Sequence, residues 1–103
     1  MNSDFDINNL NKVFESRIRL GVMSVLSVNE SADFNRLKEL LKVTDGNLSS
    51  HITALEKVNY IEITKDFVGK KPRTTYKITD EGRSAFQFHL ASLEKMFQIK
   101  NNH

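Results

Sequence analysis

The sequence predicts an α+β domain that is mainly helical, with a three-helix core, a two-stranded hairpin and a long C-terminal helix. Three observations carry that prediction. Apolar residues recur at spacings of three and four in successive blocks between Leu10 and Leu55. The pattern then changes to alternation on either side of a Gly-Lys-Lys-Pro segment, and helical spacing returns after Thr79 and persists to about Lys100. A chain of 103 residues suits one compact domain, 1–103, and is too short to add a separate ligand-binding domain.

The first helix is expected from Asn8 to Val28, where Leu10, Val13, Phe14, Ile18, Val22, Val25 and Leu26 mark one face. Gly21 within it costs roughly 1 kcal/mol of helix propensity relative to Ala, which points to a close approach by another helix. The polar residues Asn29, Glu30 and Ser31 of the tract 29–32 end the element. A short second helix opens at Asp33 or Asn35, either able to cap free amides, and carries Phe34, Leu37, Leu40 and Leu41. Thr44 repeats the capping signal for a third helix, 44–58, whose apolar stripe is Leu48, Ile52 and Leu55. The connection of about three residues forces the second and third helices to pack steeply. Asn59 tolerates the left-handed conformation that often follows a helix.

Beyond it, Ile61 and Ile63 alternate with Glu62 and Thr64, and Tyr76 and Ile78 with Thr75 and Lys77. Two strands therefore flank a turn holding Gly69, Lys70, Lys71 and Pro72. Thr79, Asp80 and Glu81 start the fourth helix. Its apolar residues form two stripes, Phe86, Leu90, Leu93 and Phe97 on one and Ala85, Phe88, Met96 and Ile99 on the other. One small domain cannot bury both, so a second copy is expected to cover part of this helix. The terminal Asn101-Asn102-His103 is expected to fray.

Composition removes several functions. The absence of cysteine excludes disulfides, thiolate metal sites and thiol catalysis. No apolar run approaches the roughly 20 residues of a membrane span. The start of the chain, with Asp4 and Asp6, lacks the basic and apolar character of a secretory signal, so a cytoplasmic location is expected. There is no nucleophile with a base, no paired carboxylates on one helix face and no glycine-rich phosphate loop, so no enzyme and no cofactor are expected. His51 and His89 have no second histidine or carboxylate at metal-site spacing, and Glu94, five residues after His89, falls on another side of the helix.

Charge is informative through its distribution, because the net value is only +2. Residues 1–66 hold 8 Lys and Arg against 10 Asp and Glu, whereas Val68 to Thr79 holds Lys70, Lys71, Arg73 and Lys77 without an acid. A basic hairpin is thus joined to a slightly acidic body.

The order helix, helix, helix, strand, turn, strand is that of a winged helix-turn-helix, whose hairpin is the wing and whose third helix faces a DNA major groove. The stretch Asn35 to Gly82 resembles a family of short winged-helix regulators. The resemblance is carried by Leu41-Lys42-Val43-Thr44-Asp45-Gly46-Asn47-Leu48-Ser49, Leu55-Glu56, Tyr60-Ile61, Pro72-Arg73-Thr74-Thr75-Tyr76 and Thr79-Asp80-Glu81-Gly82-Arg83. That family is similar to the MarR, PadR and ArsR classes of repressors. Asn59 departs from the glycine usual there. The resemblance implies a sequence-specific regulator of transcription, a repressor, that binds double-stranded DNA as a homodimer. Dimerisation helices lie at 1–28 and 80–100, and an unidentified small-molecule effector has room between them.

The candidate DNA contacts follow. With the stripe of the third helix turned inward, Thr44, Asn47, Ser49, Ser50, His51, Thr53 and Lys57 lie on or beside its outer face as short polar donors, and Ala54 or the Thr53 methyl can meet a thymine methyl. Arg36 and Lys38 are within reach of the backbone. In the wing, 66–75, Lys70, Lys71 and Arg73 suit phosphate or minor-groove contact, with Thr74 and Thr75 adding hydroxyls. The candidate dimer interface is Leu10, Val13, Phe14, Phe86, Leu90, Leu93 and Phe97. The plain alternatives are a solvated helix face and a charged strand edge that prevents aggregation. The rival function is a winged-helix protein-interaction module without DNA binding, which an acidic or apolar third helix would favour.

Overall fold

The computed structural model describes residues 6–101, with side chains to 98, so expectations for Met1–Phe5, for the Ile99 side chain and for Asn102-His103 fall outside the described residues. Helix α1 spans Arg17–Val28, α2 Phe34–Leu41, α3 Asp45–Lys57 and α4 Asp80–Asn101. Strands are β1 Ala32–Asp33, β2 Ile61–Val68 and β3 Lys71–Ile78, in an antiparallel sheet of order β1-β3-β2. A three-helix core, a hairpin wing and a long last helix match the fold class expected from the pattern.

The first helix is shorter than expected. Residues 7–15 form two 3-10 turns, Ile7–Asn9 and Lys12–Glu15, because Asp6, Asn11 and Ser16 each adopt extended backbone and cap the turn that follows. Side-chain capping by Asx and Ser competes with helix continuation, which the apolar spacing alone does not reveal. Asn11 is held further. Its backbone N–H donates to His89 Nδ1 at 3.0 Å and its side-chain Nδ2 to the Tyr60 hydroxyl at 2.9 Å. This N-terminal segment is thereby fastened to α4 and to the α3–β2 connection.

The caps of the other helices follow the sequence. Asp33 accepts from the Arg36 amide at 2.8 Å, and Thr44 from that of Asn47 at 3.3 Å. Lys42, in the left-handed region at φ 55°, turns the chain between α2 and α3. Asn59 takes φ 62° as its residue type allows. A Cβ on Gly21 would meet the Leu41 side chain of α2 at 2.8 Å, the close approach that glycine in mid-helix signals. Gly82 is under a harder constraint. A Cβ there would lie 2.1 Å from the Tyr60 carbonyl oxygen, which also accepts from the Thr79 amide, so α4 starts pressed against the end of the α3–β2 connection.

Val22, Met23, Leu26, Leu37, Leu48, Leu55 and Ile61 are almost wholly buried at the centre, where α1, α2 and α3 meet the sheet. Burying each of these side chains stabilises the fold by roughly 1.5–3 kcal/mol. Phe14 and Phe86, expected at a dimer interface, lie inside this same core. Their ring centroids are 5.5 Å apart in an edge-on contact, and each is 4% exposed.

The hairpin also corrects the expected turn. Lys71 and Pro72 belong to β3, Val68 pairs with Lys71, and the loop is only Gly69-Lys70, with Gly69 at φ 65° in the first loop position. Strand β1, absent from the sequence reading, places Ala32 against Tyr76 and Asp33 against Thr75.

Candidate nucleic-acid interface

The buried stripe of Leu48, Ile52 and Leu55 fixes the rotation of α3, and the opposite face is left to solvent. Asn47, Ser49, Ser50, Thr53 and Lys57 are exposed on it, and Ala54 is half-buried. Thr44 is exposed but its hydroxyl accepts the Asn47 amide, and the Thr53 hydroxyl donates to the Ser49 carbonyl at 3.0 Å. The side chains of Asn47, Ser49 and Ser50 are the short polar groups of this face without an intramolecular hydrogen bond among the described residues.

His51 sits on the flank toward α1, half-buried, where Arg19 Nη1 lies 3.0 Å from its Nδ1. A guanidinium can only donate, so Nδ1 is the acceptor and the ring proton is on Nε2. Arg19 is itself fixed by a bond from its Nε to the Val13 carbonyl, 2.6 Å. Burial, and then the Arg19 charge, hold the imidazole pKa below its ordinary value. His51 is therefore a neutral side chain with one N–H left to donate.

The hairpin register divides the wing into two faces. Ile61, Ile63, Lys65 and Phe67 of β2 share the core-side face with Ile78, Tyr76, Thr74 and Pro72 of β3. Glu62, Thr64, Asp66 and Val68 share the other with Lys77, Thr75, Arg73 and Lys71. Arg73 thus stands directly opposite Asp66, and its Nε and Nη2 donate to the two carboxylate oxygens at 3.2 and 3.1 Å. The hydrogen bond from Arg73, more than its charge, holds the Asp66 carboxyl below the usual carboxylate range. An acid-free segment in sequence is thus not acid-free in space. Lys70 and Lys71 are exposed and, among the described residues, take part in no ion pair. Thr74 and Thr75 are half-buried.

On α2, Arg36 is paired with Glu39 at 2.9 Å and Lys38 with Asp45 at 2.6 Å, all on the surface. Among the described residues, Lys42 just before α3, Lys57 at its end and Lys70 and Lys71 of the wing are exposed cations that take part in no ion pair. Lys65 and Phe67 of the hairpin are exposed as well, opposite Thr74 and Pro72, and were not among the residues singled out from the sequence. Placing the two-residue loop at Gly69-Lys70 is the signal that reveals both, since it sets every cross-strand pair at once.

Away from this surface, Leu90 of α4 is 44% exposed and Phe97 65%, Leu93 is half-buried, and Phe88 and Met96 are exposed as well. A groove of about 1140 Å³ runs between the N-terminal turns and α4, lined in part by Leu10, Glu15, Glu81, Phe88, His89 and Leu93. Val13 is half-buried against the core. No described helix is long and apolar enough to cross a membrane.

Comparison with known proteins agrees with this fold. A family model described as a winged helix DNA-binding domain matches residues 18–97. An uncharacterized protein of Methanocaldococcus jannaschii is 38% identical over 79 residues, covering 77% of this chain and 86% of that protein. Among solved structures, a transcriptional regulator homologue from Pyrococcus horikoshii OT3 has a TM-score of 0.74 at 32% identity, over 89% of this chain and 96% of that one. PadR of Bacillus subtilis, solved in complex with operator DNA, shares the fold with a TM-score of 0.65 at 13% identity, over 73% of this chain and 47% of PadR. With its hairpin and third helix inside the matched stretch, the chain belongs to the winged helix DNA-binding domain family of transcriptional regulators.

Proposed function

We propose that this protein is a cytoplasmic repressor that binds a specific double-stranded operator as a homodimer, with α3 in the major groove and the wing on the backbone or in the minor groove. The observation that carries the reading is the pairing of two surfaces. An outward α3 face of exposed Asn47, Ser49, Ser50 and Thr53 lies in the same small fold as a hairpin whose Lys70 and Lys71 take part in no ion pair among the described residues. The polar face supplies base-edge donors and acceptors, and the lysines supply sequence-independent phosphate neutralisation. PadR, of the same fold, is solved on operator DNA.

Dimerisation is supported by α4, where Phe88, Leu90 and Met96 are exposed apolar side chains. Phe14 and Phe86 belong to each subunit's own core, so the interface is centred on the outer residues of α4 with Leu10, Val13 and Leu93 at its edge. The groove beside it is the room available to a small effector.

The reading is tested by titrating labelled operator and random duplexes at several salt concentrations with wild type and with Asn47→Ala, Ser50→Ala and Lys71→Ala. The α3 variants narrow the gap between operator and random DNA by roughly 1–3 kcal/mol where a bidentate contact is lost. Lys71→Ala weakens both duplexes alike and reduces the salt slope by about 0.9 per subunit. Absence of any duplex binding at low salt contradicts the proposal and favours a protein-interaction module.

A further inference from the structure

Phe67 and Val68 are 71% and 54% exposed at the outer end of β2. Phe67 is opposite Pro72, so two apolar side chains stand together on the core-side face of the hairpin, beyond the last residues that the core covers. Isolated exposed hydrophobes need no explanation, but this group is contiguous and its frame is charged. Lys65 precedes it on the same face, Lys70 forms the loop beside it, and Lys71 lies across from Val68. The nearby acid, Asp66, is on the opposite face and bound to Arg73.

We propose that the Phe67–Pro72 pair is an apolar wedge that packs against the deoxyribose and base edges of the DNA minor groove while Lys65 and Lys70 hold the flanking phosphates. The inference rests on the DNA-binding reading above and adds to it the residue that enters the groove. Charge complementarity selects this occupant. The minor groove offers apolar sugar walls between two anionic strands, which matches an apolar centre between cations. A second copy of this chain would set lysines against lysines. Apolar side chains inserted into the minor groove unstack and bend the duplex, most readily at pyrimidine–purine steps.

The chain has no tryptophan, so Phe67→Trp places a single tryptophan at the wedge, which can be excited selectively over the tyrosines. Adding duplex DNA is expected to quench and blue-shift its emission. Phe67→Ala is expected to weaken duplex binding roughly tenfold while leaving the salt slope unchanged, because an apolar contact releases no counterions. Because Phe67 is exposed, both variants should melt like wild type, which separates the effect from misfolding. If wild type binds duplex while Phe67→Ala binds equally well and the Phe67→Trp emission stays constant, the wedge is overturned and the DNA-binding reading stands. If sedimentation shows that Phe67→Ala loses self-association, the patch is a contact between copies and the wedge is again overturned. If wild type binds no duplex, both readings fall.

Discussion

Replacing Asp66 by asparagine removes the carboxylate that holds Arg73 and leaves the shape of the wing nearly unchanged. Residues 65–73 carry Lys65, Lys70, Lys71 and Arg73 against Asp66, so their formal charge rises from +3 to +4. The pair is solvent-exposed, with the Arg73 side chain 47% and the Asp66 side chain 44% accessible, so its loss should scarcely alter the melting temperature. DNA binding should respond far more. A guanidinium released to one phosphate steepens the dependence of log affinity on log salt by about 0.9, or about 1.8 when both wings of a dimer engage, and at ~0.1 M salt each contact tightens binding roughly tenfold. Fluorescence anisotropy of a labelled duplex across a salt series measures both quantities. Asp66→Asn should bind tighter with a steeper slope, and adding Arg73→Gln should abolish the gain. Equal affinity and equal slope for Asp66→Asn and wild type would refute the idea that Asp66 restrains Arg73 from DNA.

Gly82→Ala places a methyl 2.1 Å from the Tyr60 carbonyl oxygen, and since that atom is backbone the structure cannot yield cheaply; a urea melt should show a loss of about 3 kcal/mol, and a wild-type midpoint would contradict the packing. Leu90→Glu puts a charge on the exposed face of α4, so sedimentation should show monomers where wild type dimerises, and an unchanged dimer would remove α4 from the interface. Stability should fall with acid. His89 has its pKa lowered by burial, and His51 by burial and then by Arg19, and each uses Nδ1 as an acceptor, from the Asn11 amide and from Arg19 respectively. The unfolded chain therefore takes up these protons first. The stability contributed by the neutral rings is fully present above their ordinary pKa of about 6.5 and is lost as pH falls from there through the lowered folded values. Glu15, Glu81 and Lys12 line the groove beside His89. Urea melts between about pH 7.5 and 5 should show this slope and show it reduced in His89→Gln, and a pH-independent midpoint would contradict it.

The helical core was legible because its signals are local. Thr44 with Leu48, Ile52 and Leu55 specifies the start and inner face of α3, and Asn59 takes the left-handed backbone that its residue type tolerates. The first helix was overextended because Asn11 and Ser16 interrupt the backbone without interrupting the apolar spacing. Phe14 and Phe86 looked available to a partner because periodicity reports that a face is apolar and not which molecule covers it. The site was legible in composition and less so in arrangement. A turn drawn around Pro72 hid the register, and with it the Asp66–Arg73 pair and the position of Phe67. Arg19 and His51 are 32 residues apart, and no local pattern announces their contact.

The central claim, that α3 and the wing form one DNA-binding surface, is tested most directly by mapping backbone amide shifts of isotope-labelled protein as duplex DNA is added. The shifts should concentrate in residues 44–58 and 65–75 and leave the exposed face of α4 around Leu90 and Met96 undisturbed. Shifts gathered on α4 and the N-terminal turns, or none at saturating duplex, would contradict it.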